Sequence, residues 1–138
     1  MVPTSIILHH SLTEDGQTVS WGAIRRYHMV DCGWSDIGYH FGIELVGRDY
    51  EIFVGRMMTD IGAHTKGKND SSIGVCFVGN FDAQPPPRKQ WDLGLRLVKS
   101  LCEVFNIPTT LVYPHRRFAP YKSCPGRMFD VKEFVEQL

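Results

Sequence analysis

The chain has 138 residues, 43% hydrophobic and 22% charged, with a formal net charge of zero. That size fits one domain with one core, here residues 1–138, and a soluble globular composition. Balanced charge argues against a nucleic-acid partner, which needs an excess of Lys and Arg, and no apolar run reaches the roughly 18–20 residues that span a bilayer.

The first stretch, "MVPTSIILHH", has no basic start and no long apolar segment before a small-residue cleavage site. It does not read as a signal peptide, so synthesis in the cytoplasm is expected. Within it, residues 5–10 read as a short Ile-rich buried strand. "SWGAIRRYHMV" reads as a helix, with Ser20 as N-cap and Trp21, Ile24 and His28 on one face.

"YHFGIEL", residues 39–45, alternates. Tyr39, Phe41, Ile43 and Leu45 should point one way, and His40, Gly42 and Glu44 the other. "VGRD" reads as a turn and "YEIFV" as a partner strand, which makes a hairpin. The apolar run "SIGVCFVG", 72–79, suits a central strand covered on both faces.

Residues 88–106 carry the clearest helical period, through Trp91, Leu95, Val98, Cys102 and Phe105. "TTLVY" reads as a further strand that delivers His115 just past its end. Asp130 with Glu133 resembles a capping box opening a C-terminal helix. The fold class that follows is α/β: a single domain with a central mixed β-sheet flanked by helices.

The four cysteines, Cys32, Cys76, Cys102 and Cys124, read as free thiols. Cys76 and Cys102 lie in apolar surroundings and read as small core residues; Cys32 takes no assigned role. The Arg116–Arg117 pair reads as a solvated surface feature.

Chemistry gathers late in the chain, where "HRRFAPYKSCPG" sets His115, Lys122 and Cys124 in one loop. Imidazole nitrogen and thiolate sulfur together suit zinc. No Cys-x-x-Cys pair and no zinc-finger spacing is present. Three ligands from separate elements, with a fourth position for water, would be the catalytic arrangement. His9 and His10 are adjacent on a strand, so at most one can join a given site. Parity alone leaves open which one. A structural zinc site with a fourth ligand, His40 or Cys32, is the rival arrangement.

Four phrases in order, "IILHHS", "DIGYHFGI", "GAHTKGKNDSSIGVCFVGNF" and "KSCPG", resemble the type-2 zinc-dependent N-acetylmuramoyl-L-alanine amidases. That family includes amidase-type phage lysozymes and peptidoglycan recognition proteins. The resemblance runs from about Ile6 to the C-terminal helix. It implies one zinc ion held by His9, His115 and Cys124, with Tyr39 and Lys122 as catalytic groups. It implies His28, Trp34 and His64 as substrate contacts along a groove. Alternation turns His40 away from Tyr39, so it reads as structural, and Asn69 reads as holding its turn.

The implied substrate is peptidoglycan or a muropeptide, cut between N-acetylmuramic acid and the L-alanine of the stem peptide. The implied protein is a monomeric phage or prophage endolysin reaching the wall through a separate pore, or else a cytoplasmic recycling enzyme. A non-catalytic peptidoglycan-binding module is the alternative, and the presence of Cys124 and Lys122 counts against it.

Overall fold

The computed structural model describes residues 1–13 and 21–138. Among these residues five strands form one mixed sheet: β1 Ser5–His10, β2 Phe41–Val46, β3 Asp49–Val54, β4 Ser72–Phe77 and β5 Val112–Pro114, in the order β3-β2-β4-β1-β5. β2 and β3 are the expected antiparallel hairpin, and the other pairings are parallel. β1 and β4 lie inside the sheet and are buried at every residue. That is why both read as continuous apolar runs rather than alternating ones.

Among the described residues three α-helices accompany the sheet: α1 Trp21–Arg26, α2 Arg88–Phe105 and α3 Val131–Glu136. α2 packs the main core. Trp91, Val98 and Cys102 are buried as the period requires, whereas Leu95 and Phe105 are only partly covered and Gly94 and Leu101 complete the inner face. Asn106 ends α2 in the left-handed conformation, φ 57°. Asp130 caps α3 by accepting the Glu133 N–H at 3.0 Å, as the sequence suggests.

The two faces of the sheet differ. Ile6, Leu8, Phe41, Ile43, Val75 and Phe77 join α2, Phe129 and Phe134 in the large cluster. On the other face, Trp21, Ile24, Ile37, Cys76 and Val78 form a smaller one. β1 therefore turns Ile6 and Leu8 toward α2. His10 follows their parity and takes the Phe81 N–H on its Nδ1 at 3.2 Å. His9 projects from the opposite face.

Several boundaries differ from the sequence reading. The helix predicted over 20–30 is α-helical only to Arg26 and continues as a π-helical turn over Tyr27–Asp31. Its predicted cap, Ser20, lies outside the described residues. "TTLVY" is not one strand: Thr109–Leu111 is a 3₁₀ turn, and pairing starts at Val112.

β2 starts at Phe41, so the alternation does not reach back to Tyr39. His40 bonds both ways to Gly74, through its backbone N–H and its Nδ1, and it accepts the Gly55 N–H on its carbonyl. Tyr39 packs with the Trp21 cluster, not with Phe41 and Ile43.

Trp21 reaches this position across Gly42. A Cβ there would lie 2.3 Å from the Trp21 ring, and Trp21 in turn stacks on Tyr39 at 6.2 Å. Gly42→Ala should therefore destabilise the protein. Overpacking costs about 1–3 kcal/mol, against a backbone gain of about 0.5–1 kcal/mol. Urea melts followed by tryptophan fluorescence check this; an unchanged midpoint would mean that the indole yields freely.

Candidate metal and active site

His9 is the second-last residue of β1, and His115 follows β5 directly. β1 and β5 are parallel, with Leu8 opposite Pro114. The next residue on each chain is a histidine, and the two rings lie 4.5 Å apart. Neighbouring parallel strands thus deliver two imidazoles at the same sheet end.

Cys124 arrives from the loop beyond. The His10 N–H points at its sulfur at 3.4 Å, and its carbonyl accepts the Arg116 N–H at 2.9 Å. All three residues are buried, and their ligand atoms lie within 4.8 Å of one another.

The loop carrying Cys124 is clamped from two sides. Asp82 accepts from the Ser123 hydroxyl at 2.8 Å and from the Arg127 N–H at 2.9 Å. Those two bonds, with the nearby positive charge, hold its carboxyl below the usual range. Arg116 donates to the carbonyls of Ser123 and Gly126, each at 3.1 Å. The expectation that Arg116 is merely solvated is therefore corrected: it is partly buried and braces the cysteine loop.

The donor set suits zinc. Bonds of about 2.0–2.1 Å to nitrogen and about 2.3 Å to sulfur at tetrahedral angles put N and S about 3.6 Å apart. His9 Nδ1 and Cys124 Sγ are 3.7 Å apart.

Burial pushes the His9 pKa well down, helped by His64, His115 and Lys122. His115 falls to about 4 through burial and the Lys122 charge. Both rings are thus neutral with free lone pairs at neutral pH, as ligation requires. Burial pushes the Cys124 thiol up to about 11, partly opposed by the His10 N–H, Lys122 and Arg116. The thiol must lose its proton when a cation binds.

The other predicted residues surround this trio. The Tyr39 ring is 5.2 Å from His9, and burial holds its hydroxyl pKa well above the usual value. His28 accepts the Gly38 N–H on Nδ1 at 3.0 Å, and its ring lies 4.6 Å from Trp34. Trp34, 38% exposed, is a groove wall rather than a core residue. Lys122 is exposed and lies near the Tyr121 ring.

Tyr39, His28, Trp34, His64 and Lys122 line one cavity of about 470 Å³ together with the trio. A second cavity of about 630 Å³ continues from Trp34, His64 and Lys122 toward Lys66, Asn69 and Phe118. Asn69 holds its turn as expected, its Oδ1 accepting from the His64 and Thr65 N–H groups at 2.8 Å.

His40 is fully buried, bonded through Nε2 to the Asp60 carbonyl, and Cys32 is exposed. Among the described residues, neither joins the metal-ligating group. The sequence reading misses the bracing by Asp82, whose partners Ser123 and Arg127 lie 41 and 45 residues away, and by Arg116, whose bonds go to the carbonyls of Ser123 and Gly126 within a loop that has no periodic pattern.

The family model for N-acetylmuramoyl-L-alanine amidase matches residues 1–127. The chain belongs to the N-acetylmuramoyl-L-alanine amidase family. The endolysin of Klebsiella phage KP32 is 34% identical over 137 residues, spanning 97% of this chain and 86% of the phage protein. Among solved structures, the N-acetylmuramoyl-L-alanine amidase LysC from Clostridium intestinale superposes with a TM-score of 0.86 at 29% identity, covering 99% of this chain and 85% of that one. A mutant of Drosophila PGRP-LB in complex with tracheal cytotoxin superposes with a TM-score of 0.80 at 27% identity, covering 96% and 80%. This amidase therefore has the mixed-sheet fold shared by endolysins and peptidoglycan recognition proteins.

The buried titratable groups of the site give the metal-free amidase a two-sided pH profile. His64, lowered to about 3, and His115, lowered to about 4, bind protons more readily when unfolded. Stability should therefore fall as pH drops below about 6.5. The raised Cys124 thiol works in the opposite direction: the unfolded thiol ionises first, so stability should also fall above about pH 9. Urea melts of chelator-treated protein at pH 5, 7.5 and 10 test this; a flat profile would contradict the buried, neutral state of the trio.

Proposed function

We propose that this chain is a monomeric endolysin that hydrolyses the amide between N-acetylmuramic acid and the L-alanine of the peptidoglycan stem. It would do so with one zinc ion held by His9, His115 and Cys124. The observation that carries this reading is the convergence of three buried ligand atoms within 4.8 Å at the floor of a groove that Tyr39 and Lys122 also line. The endolysin relatives and the tracheal-cytotoxin complex of PGRP-LB support a wall-derived substrate. Among the described residues no helix is long and apolar enough to cross a membrane. Access to the wall through a separate pore is part of this proposal.

Zinc, when bound, supplies Lewis acidity, which acidifies water and withdraws charge from a carbonyl. The chain's own groups do the rest. His28 and Trp34 form one wall of the groove, with an aromatic face toward the sugar–peptide junction. Lys122 sets a positive charge over the groove, where the amide oxygen becomes negative as water adds to the carbonyl carbon. Removing such a donor typically costs about 3–4 kcal/mol in the transition state. Tyr39 remains a protonated phenol and so acts as a hydrogen-bond donor, not a base. In the balanced reaction the C–N bond breaks, the hydroxyl of water stays on the lactyl carbonyl, and the alanine nitrogen leaves as an amine carrying the proton.

Digestion of purified sacculi tests the proposal. Chelation and Cys124→Ser should abolish release of peptides with a free N-terminal alanine. Lys122→Ala should lower turnover by about 100-fold or more while the protein still binds zinc. Tyr39→Phe should lower turnover without changing zinc content. Sacculus binding without any cleavage by the zinc-loaded protein would leave the recognition-module reading standing instead. Full cleavage by the chelated protein would refute the hydrolase mechanism.

A further inference from the structure

His64 reads from the sequence as a substrate contact, but its ring nitrogens are turned inward. His64 Nδ1 lies 2.9 Å from His9 Nε2, and His64 Nε2 lies 3.3 Å from the Ser72 carbonyl. The ring is only 8% exposed. It sits in a slot that two glycines keep open: a Cβ on Gly62 or Gly74 would come within 2.6 Å of it. Asn69 fixes its backbone N–H. The Thr65 hydroxyl closes the junction, 3.0 Å from His64 Nδ1 and 3.4 Å from His9 Nε2.

The protons on this chain of contacts can be placed in order. A carbonyl only accepts, so the Ser72 oxygen requires the proton on His64 Nε2. His64 is buried, and among the described residues none of its hydrogen bonds is to a carboxylate. It stays neutral and has one N–H. Its Nδ1 is then bare and accepts. The facing His9 Nε2, at 2.9 Å, must donate. His9 is neutral too, so its Nδ1 carries no proton. That bare nitrogen is the atom 3.7 Å from Cys124 Sγ.

We infer that His64 is a positioning residue, which through the Ser72–His64–His9 chain fixes His9 in the tautomer whose Nδ1 lone pair faces His115 and Cys124. The inference rests on the proposed metal site, and it assigns His64 to holding that site rather than to the substrate. An imidazole free to turn over, or to move its proton to Nδ1, would have to be reset each time a cation entered. Partners of this kind typically change metal affinity 10–100-fold when removed.

The test uses the full chain with zinc as the probe. His64→Phe fills the slot but cannot accept a hydrogen bond. Its zinc affinity, from competition with a chromophoric chelator, should fall 10–100-fold. His64→Asn can present its Oδ1 to His9 and should recover most of that loss. Nitrogen NMR of the metal-free wild type should show His9 and His64 both protonated on Nε2, and His64→Phe should turn His9 into a mixture of tautomers.

Unchanged zinc affinity in a folded His64→Phe protein would overturn the inference. So would a wild-type His9 protonated on Nδ1, a measurement that holds even if the variant does not fold. None of these readouts involves peptidoglycan. If sacculi were left uncut while the affinity and tautomer results held, the hydrolase proposal would fail and the His64 role would stand.

Discussion

The site depends on the parallel pairing of β1 with β5, which sets Leu8 beside Pro114. That register makes the next residue along each segment a histidine and brings both to one end of the sheet. β1 is bonded on its other side to β4 along its whole length, with His9 opposite Cys76. His9 therefore sits on a strand held from both sides. A one-residue slip would turn His9 into the α2 core and His10 into the groove. Ile6 and Leu8, fully buried against α2, oppose any such slip through their hydrophobic burial.

Burial acts on the ligands in two directions. It drives both imidazoles neutral, which prepares them to bind a cation, and it drives the thiol neutral, which does not. The fold answers the second effect with positive potential around the sulfur. The His10 N–H, Lys122 and Arg116 all favour the thiolate. Arg116 serves twice, since it also ties the carbonyls on both sides of Cys124. The cysteine loop is thus shaped and electrostatically biased by one guanidinium. Both carbonyls take their bonds from the same nitrogen, Nη1, so the bracing depends on holding that one atom between them.

Much of this was legible in the sequence because it rests on local periodicity. The β1 and β4 runs, the hairpin, the α2 stripe and the Asp130 cap all follow from spacing within a few residues. The choice between His9 and His10 did not, because it depends on which face α2 covers, and no local pattern carries that. Tyr39 illustrates the same limit. Its alternation with Phe41 is real in sequence, but the strand starts at Phe41, and the bonds of His40 to Gly74 turn the chain before pairing begins. The orientation of His64 was hidden for a related reason. Its partners, His9 and Ser72, belong to two different strands, and only the assembled sheet brings them to one ring.

The residues around the site divide into a fixed cradle and an adaptable rim. His9, His64, His115 and Cys124 are buried, and each is joined to a neighbouring element by a hydrogen bond or ring contact. Trp34, Tyr121 and Lys122 are exposed on the groove wall. The physical demands on the two sets differ. Ligands must be preorganised, because any freedom they keep is lost again on each metal-binding event. A groove for a sugar joined to a peptide needs aromatic faces and a mobile charge that can follow the amide oxygen as it becomes negative. The segment leading into β2 supplies the first through Trp34 and Tyr39, and the loop beyond β5 the second. Lys122 lies two positions before Cys124, so the same loop that is pinned at its sulfur leaves its lysine exposed along the groove.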